Sequence, residues 1–164
     1  MREHSVKIKP GQKAPDFSGT DMHGNPVSLD MYQGKLLLLA FHRLAACPFC
    51  GFRIYSLSLH YPVLHERGLE IVAVVESSEA NIQRQPYAAT VPFPIIADPQ
   101  QQLYRRYGVG TSRFGQWWAD TMRKATIAQA ERLGFGHGVV DGHPQRMPAD
   151  FLIGPDQMVR YAHY

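Results

Sequence analysis

Apolar and polar positions divide this chain into short blocks whose periods predict alternating strands and helices. Leu36–Phe41 reads Leu-Leu-Leu-Leu-Ala-Phe with no polar break, as expected for a strand buried on both faces. Glu70–Glu76 repeats the pattern as Glu-Ile-Val-Ala-Val-Val-Glu, and Phe93–Ile96 is a shorter third strand. Between the first two the period changes. From Pro48 to about Arg67 apolar residues recur at helical spacing, with Phe49, Phe52, Leu57, Tyr61 and Leu64 as the expected buried stripe. Pro62 is expected to kink or split that helix. Ser77 and Ser78 are placed to cap the segment after the second strand, and Asp98-Pro99 to open a helix running through about Tyr107. Residues 9–34 are rich in Gly, Pro, Asp and Asn, with Asp21–Val27 reading as a turn or short hairpin.

Residues 111–146 break this alternation. Gln116–Leu133 is a plausible amphipathic helix carrying Trp117, Trp118, Met122 and Ile127, and Phe135–Pro144 is a loop rich in Gly and His. Ala149–Ile153, a turn at Gly154–Gln157, and Met158–Tyr164 then form an antiparallel hairpin. A parallel βαβ unit followed by such a hairpin is the thioredoxin-like arrangement. The expected fold is therefore α/β: a central mixed sheet flanked by helices, in one domain over 1–164, with 111–146 a helical insertion before the closing hairpin. No further helix is read before Tyr164, so either the sequence is cut short there or another segment covers the remaining face of the sheet.

Composition narrows the function classes. A chain of 164 residues, 45% hydrophobic and 19% charged, suits one ordinary soluble domain. Its net charge of +3 comes from scattered basic residues, which argues against a nucleic-acid partner. No apolar run approaches the roughly 18 residues of a membrane span. Met1–Lys7 is polar and lacks a signal-peptide core. A cytoplasmic location is expected, and there a Cys-x-x-Cys is more often catalytic than structural.

The only two cysteines are Cys47 and Cys50, in Phe41-His42-Arg43-Leu44-Ala45-Ala46-Cys47-Pro48-Phe49-Cys50. A strand that delivers this pair to the first turn of a helix favours a thiolate, through the N–H groups and the positive end of the dipole. Pro48 suits the first helical position, and Cys50, three residues on, shares a face with Cys47 and can close a disulfide with it. Zinc is an alternative, but it requires a second pair of ligands, and His137 and His143 are spaced beyond the usual range. Two inert buried cysteines are the other alternative. The strand-to-helix position and Pro48 favour a redox pair.

Three further stretches carry a family resemblance. Gly11-Gln12-Lys13-Ala14-Pro15-Asp16-Phe17 with Gly34-Lys35-Leu36-Leu37-Leu38 resembles the opening of peroxiredoxins of the alkyl hydroperoxide reductase and thiol-specific antioxidant family. Pro92–Pro99 followed by Leu103–Val109 resembles that family's next landmark, and Phe151–Asp156 its closing hairpin. The resemblance implies a thioredoxin fold and thiol-dependent reduction of peroxides or disulfides. It also exposes departures. Ala40 and Leu44 stand where the family carries Pro and Thr ahead of its peroxidatic cysteine, and Pro148 stands where it carries an arginine. Met147-Pro148 instead resembles the cis-proline of thioredoxin-type disulfide reductases.

On this reading Cys47 attacks a peroxide or a substrate disulfide, and Cys50 resolves the product. Cys47, nearer the helix start, is expected to be the more exposed and acidic thiol. Arg43 and His42 are candidate cations beside it, Pro148 is expected to pack against the pair, and Arg146 is a weaker substitute for the missing arginine. An external thiol of thioredoxin or glutathione type is the implied reductant. No cofactor or metal is expected. Phe114, Trp117 and Trp118 are expected to pack the insertion against the sheet, with a homodimer interface or a substrate groove as the alternative.

Overall fold

The two uninterrupted apolar runs lie side by side at the centre of the molecule's main sheet. The computed structural model describes residues 6–114, 123–136 and 138–164. Its strands are β1 (Ser18–Thr20), β2 (Pro26–Ser28), β3 (Leu36–His42), β4 (Leu69–Val75), β5 (Ile95–Ala97), β6 (Ala149–Ile153) and β7 (Val159–His163). Its helices are α1 (Pro48–Glu66), α2 (Glu79–Gln83), α3 (Gln102–Arg106) and α4 (Lys124–Arg132). β1 and β2 form the antiparallel hairpin predicted around Asp21–Val27. The remaining strands lie in the order β5-β4-β3-β6-β7. β3, β4 and β5 run parallel, while β6 is antiparallel to both β3 and β7. This is the expected mixed sheet.

Alternation along β3 and β4 builds a core on each face. Leu37, Leu39, Phe41, Val72 and Val74 point one way, where Tyr104, Tyr107 and Phe17 pack on them. Edge contacts of the Phe41 ring with Tyr104 and Phe151, at 5.1 and 5.7 Å between centroids, lock that core. The face that the sequence left uncovered is thus closed by α3, by the segment ahead of β1 and by Tyr164. Ile71, Ala73 and Val75 point the other way, towards Ile54 of α1.

Several boundaries differ from those predicted, each for a local reason. α1 runs without interruption through Pro62, which is exposed. The most buried positions of α1 are Cys50, Gly51 and Ile54, and the predicted stripe lies around them half-buried. α3 starts at Gln102 because the Asp98 carboxylate caps it, accepting the N–H groups of Gln102 at 2.9 Å and Leu103 at 2.7 Å. Ser78 occupies the N-cap position of α2, but its hydroxyl does not cap. Of the helix expected over Gln116–Leu133, Lys124–Arg132 is described, while Trp117, Trp118 and Met122 lie outside the described residues. The two ends of 111–146 meet at an antiparallel bridge between Thr111 and Arg146. No helix among the described residues is long and apolar enough to cross a membrane.

Candidate redox site

The β3–α1 turn places both cysteines. Cys47 is the N-cap of α1, with extended backbone angles (φ −84°, ψ 116°), and Pro48 follows in the first turn, where no N–H is needed. The backbone N–H of Cys50 donates to Cys47 Sγ at 3.4 Å, so the helix start is aimed at that sulfur. Cys50 Sγ faces inward and accepts the N–H of Arg43 at 3.4 Å. Both residues are thiols here. Cys47 is 5% exposed and Cys50 3%, so the expected difference in exposure is marginal and both sulfurs are buried. Burial, followed by the hydrogen bond and charge of Cys47, pushes the Cys50 thiol well above its ordinary range.

The structure separates the candidate residues around this pair. Arg43 reaches it, with Nη1 3.8 Å from Cys47 Sγ. Its Nη2 donates to the carbonyl of Pro144. His42 is not a cation. It is 1% exposed, and burial, with the charge of Arg53 adding to it, drives its imidazole well below its ordinary value. The Met147–Pro148 peptide is trans, because no cis bond occurs among the described residues. The bridge at Arg146 and the hydrogen bond from Met147 N–H to the Gly110 carbonyl (3.1 Å) lead an extended chain directly into β6. Pro148 is therefore an ordinary proline at a strand start, and the cis-proline expectation is corrected.

Arg146 is committed elsewhere. It is buried in an ion pair with Glu76, donates to the carbonyl of Val109 at 2.8 Å and to Gln101 Oε1 at 2.6 Å, and lies over the Tyr104 ring. His143 is exposed, donates its N–H to Glu76 Oε1 at 2.9 Å and accepts the N–H of Gln145 on its ring. His137 lies outside the described residues.

Sequence reasoning missed the wall around the site. Phe135 packs over Gly51, where a Cβ would come within 3.2 Å of its ring. With Tyr55, Tyr87, Pro86, Thr90 and Leu133 it lines a cavity of about 180 Å³. Burial raises the Tyr87 phenol, and the charges of Cys50 and Cys47 add to the effect. Arg123 stacks its guanidinium over Phe49 at 4.3 Å. Asp141 ties the Gly-rich loop to Ser77, Ser78 and Asn81. Its carboxyl is held below the usual range because the hydrogen bonds from Ser77, Ser78 and Asn81 outweigh the opposing effect of burial. The available signal was an Asp-Gly opposite a Ser-Ser pair, which propensity alone reads as a turn and a cap.

A thiol at a helix N-terminus, a second thiol one turn on and a guanidinium beside the first can carry out nucleophilic attack followed by disulfide closure. The comparisons agree with that chemistry. The model of the AhpC/TSA family matches residues 10–162. Peroxiredoxin 2 of Thermoplasma acidophilum is 31% identical over 160 residues, covering 94% of this chain and 65% of that protein. The thiol-disulfide oxidoreductase ResA of Geobacillus thermodenitrificans is 34% identical over 101 residues, covering 61% of this chain and 58% of that protein. The chain thus spans less than two thirds of each relative's length. The crystal structure of the peroxidoxin BcpB from Mycobacterium tuberculosis superposes with a TM-score of 0.69 at 16% identity, over 95% of this chain and 85% of the other. That likeness supports the thioredoxin-type fold.

Proposed function

Because the chain belongs to the AhpC/TSA family, we propose that it is a thiol-dependent peroxidase whose nucleophile is Cys47. The observation that carries the reading is the placement of Cys47 Sγ between the start of α1 and the Arg43 guanidinium, with Cys50 one turn away. The Cys47 thiolate attacks one peroxide oxygen. The O–O bond breaks, and the other oxygen leaves as alcohol or water with a proton from solvent, giving a sulfenic acid on Cys47. Cys50 then loses its proton and attacks the Cys47 sulfur. The sulfenic hydroxyl leaves with that proton as water, and a Cys47–Cys50 disulfide closes. Two external thiols, of thioredoxin or glutathione type, reduce it and are themselves oxidised to a disulfide. Arg43 favours the thiolate electrostatically. A reducing, cytoplasmic setting suits this cycle, and residues 111–146 are read as an insertion in a single redoxin domain.

The second reading, a disulfide reductase using the same pair, draws on the likeness to ResA and on Leu44, which offers no hydroxyl to orient a peroxide. Stopped-flow oxidation of the reduced protein separates the two. Hydrogen peroxide is expected to oxidise the wild type quickly, Cys47→Ser to abolish consumption, and Cys50→Ser to leave a sulfenic acid that dimedone traps. Fast exchange with a model disulfide and negligible reaction with peroxide would establish the reductase instead.

A further inference from the structure

Residues 138–146 form a strap across the site for which the chemistry above has no need. It touches the site just ahead of the nucleophile in sequence. Arg43 donates to the carbonyl of Pro144, and Gly142 sits so close that a Cβ there would lie 2.2 Å from the carbonyl oxygen of Glu76 and 3.3 Å from Leu44 Cβ. Just after the nucleophile, Gly136 closes on the ring of Pro48, where a Cβ would lie 2.5 Å from Cγ. Between these contacts the nucleophile is only 5% exposed.

Asp141 accepts four of the hydrogen bonds that hold the strap down. Asp141 Oδ1 accepts from the Ser77 hydroxyl at 2.6 Å and the Asn81 amide at 3.0 Å. Oδ2 accepts from the Ser78 N–H at 2.8 Å and its hydroxyl at 2.9 Å. Ser77 Oγ also accepts the N–H of Ala45 at 2.9 Å, so the clasp is anchored to the turn that carries Cys47. These are charge-assisted bonds between elements far apart in sequence, the kind that fix a loop in one position.

Closure of this kind discriminates by size. A small hydroperoxide can approach a recessed sulfur through a narrow opening. A disulfide must bring two sulfurs into line with the attacking thiolate and carry a substituent on each, so it depends strongly on access. Building on the peroxidase reading, we propose that the Asp141 clasp makes residues 138–146 a specificity filter, admitting small hydroperoxides to Cys47 and holding back bulky disulfides. Asp141 is then a positioning residue that acts through the strap.

Two variants release the strap by different means. Asp141→Ala removes the acceptors, and Gly142→Ala adds a methyl group where Glu76 leaves no room and changes no charge. Stopped-flow rates are read for hydrogen peroxide and for the neutral 4,4′-dithiodipyridine, with circular dichroism as the control for folding. In both variants the disulfide rate is expected to rise about tenfold or more, while the hydrogen peroxide rate moves by less than about threefold; in Asp141→Ala the loss of even one charge-assisted bond is worth roughly a factor of ten in opening. A disulfide rate that stays put, or a peroxide rate that rises equally, overturns the filter. Should neither variant fold, the wild type decides alone. Its rates must fall steeply from hydrogen peroxide to tert-butyl to cumene hydroperoxide, and a flat series overturns the proposal. A wild type inert to peroxide refutes the peroxidase reading itself. A wild type that consumes peroxide with an unmoved disulfide-to-peroxide ratio in the variants refutes the strap alone.

Discussion

Burial keeps both His42 and Cys50 in their neutral forms, from opposite directions. The His42 imidazole titrates below its ordinary value of 6.5, and its Nε2 has no hydrogen-bond partner among the described residues. Unfolding therefore takes up a proton below about pH 6.5, so the stability His42 contributes is full above that point and lost as pH falls. Cys50 titrates above the ordinary cysteine range, so its contribution is full below about pH 8.5 and lost as pH rises. Each limb is limited to about 1.4 kcal/mol per pH unit per proton. Urea midpoints of the reduced protein between pH 5 and 10 are expected to flatten on the acid side in His42→Leu and on the alkaline side in Cys50→Ala. Variants that keep the wild-type slopes would show that other groups set both limbs. The sequence made His42 a candidate cation because only its distance along the chain from Cys47 was visible. Its depth was legible in principle. Residue 42 shares a strand face with Leu38 and Ala40, and Leu38 packs into the core beneath α1.

At the scale of elements, long apolar blocks were read correctly, Ala149–Ile153 to the residue, while ends set by distant side chains were not. β3, β4 and the β6–β7 hairpin declare themselves because burial on both faces, or two apolar stretches flanking a turn, leaves one reading. α3 was drawn too early because Asp98 is a cap reaching forward rather than a first helical residue. The strap was read only as a loop rich in Gly and His because its partners, Glu76, Ser77, Ser78 and Asn81, lie about sixty residues upstream, and no local pattern reports such contacts. Pro62 illustrates tertiary override. Ile54, buried, and Leu57, Tyr61 and Leu64, half-buried, pack the helix against the sheet, and this packing offsets the lost hydrogen bond. Pro62→Ala restores an N–H on an exposed face at the cost of a more flexible unfolded chain. It is expected to stabilise the protein by about 1–2 kcal/mol in urea unfolding. A destabilised variant would mean that the helix depends on a bend at that position.

Across the whole molecule, the buried Glu76–Arg146 pair joins parts that the topology leaves separate. Glu76 stands just after β4 and also holds the strap through the N–H of His143. Arg146 stands where the two ends of 111–146 meet and reaches Val109 and Gln101 beside α3. With side chains 6% and 1% exposed, neither charge has water to fall back on. Removing one partner strands the other. Arg146→Met is therefore expected to cost about 3–5 kcal/mol, far more than the loss of a surface ion pair. Adding Glu76→Gln to that variant removes the stranded charge and keeps an acceptor for the His143 N–H. The double variant should recover much of the loss, with a coupling of about 0.5–3 kcal/mol in a double-mutant cycle of urea unfolding. Strict additivity would mean that the two residues stabilise the fold independently. The base of 111–146 would then be held by its backbone bridge, and the strap would lose only its His143 contact when Glu76 changes. Coupling would instead make this pair the joint through which the sheet, α3 and the strap over Cys47 keep one arrangement.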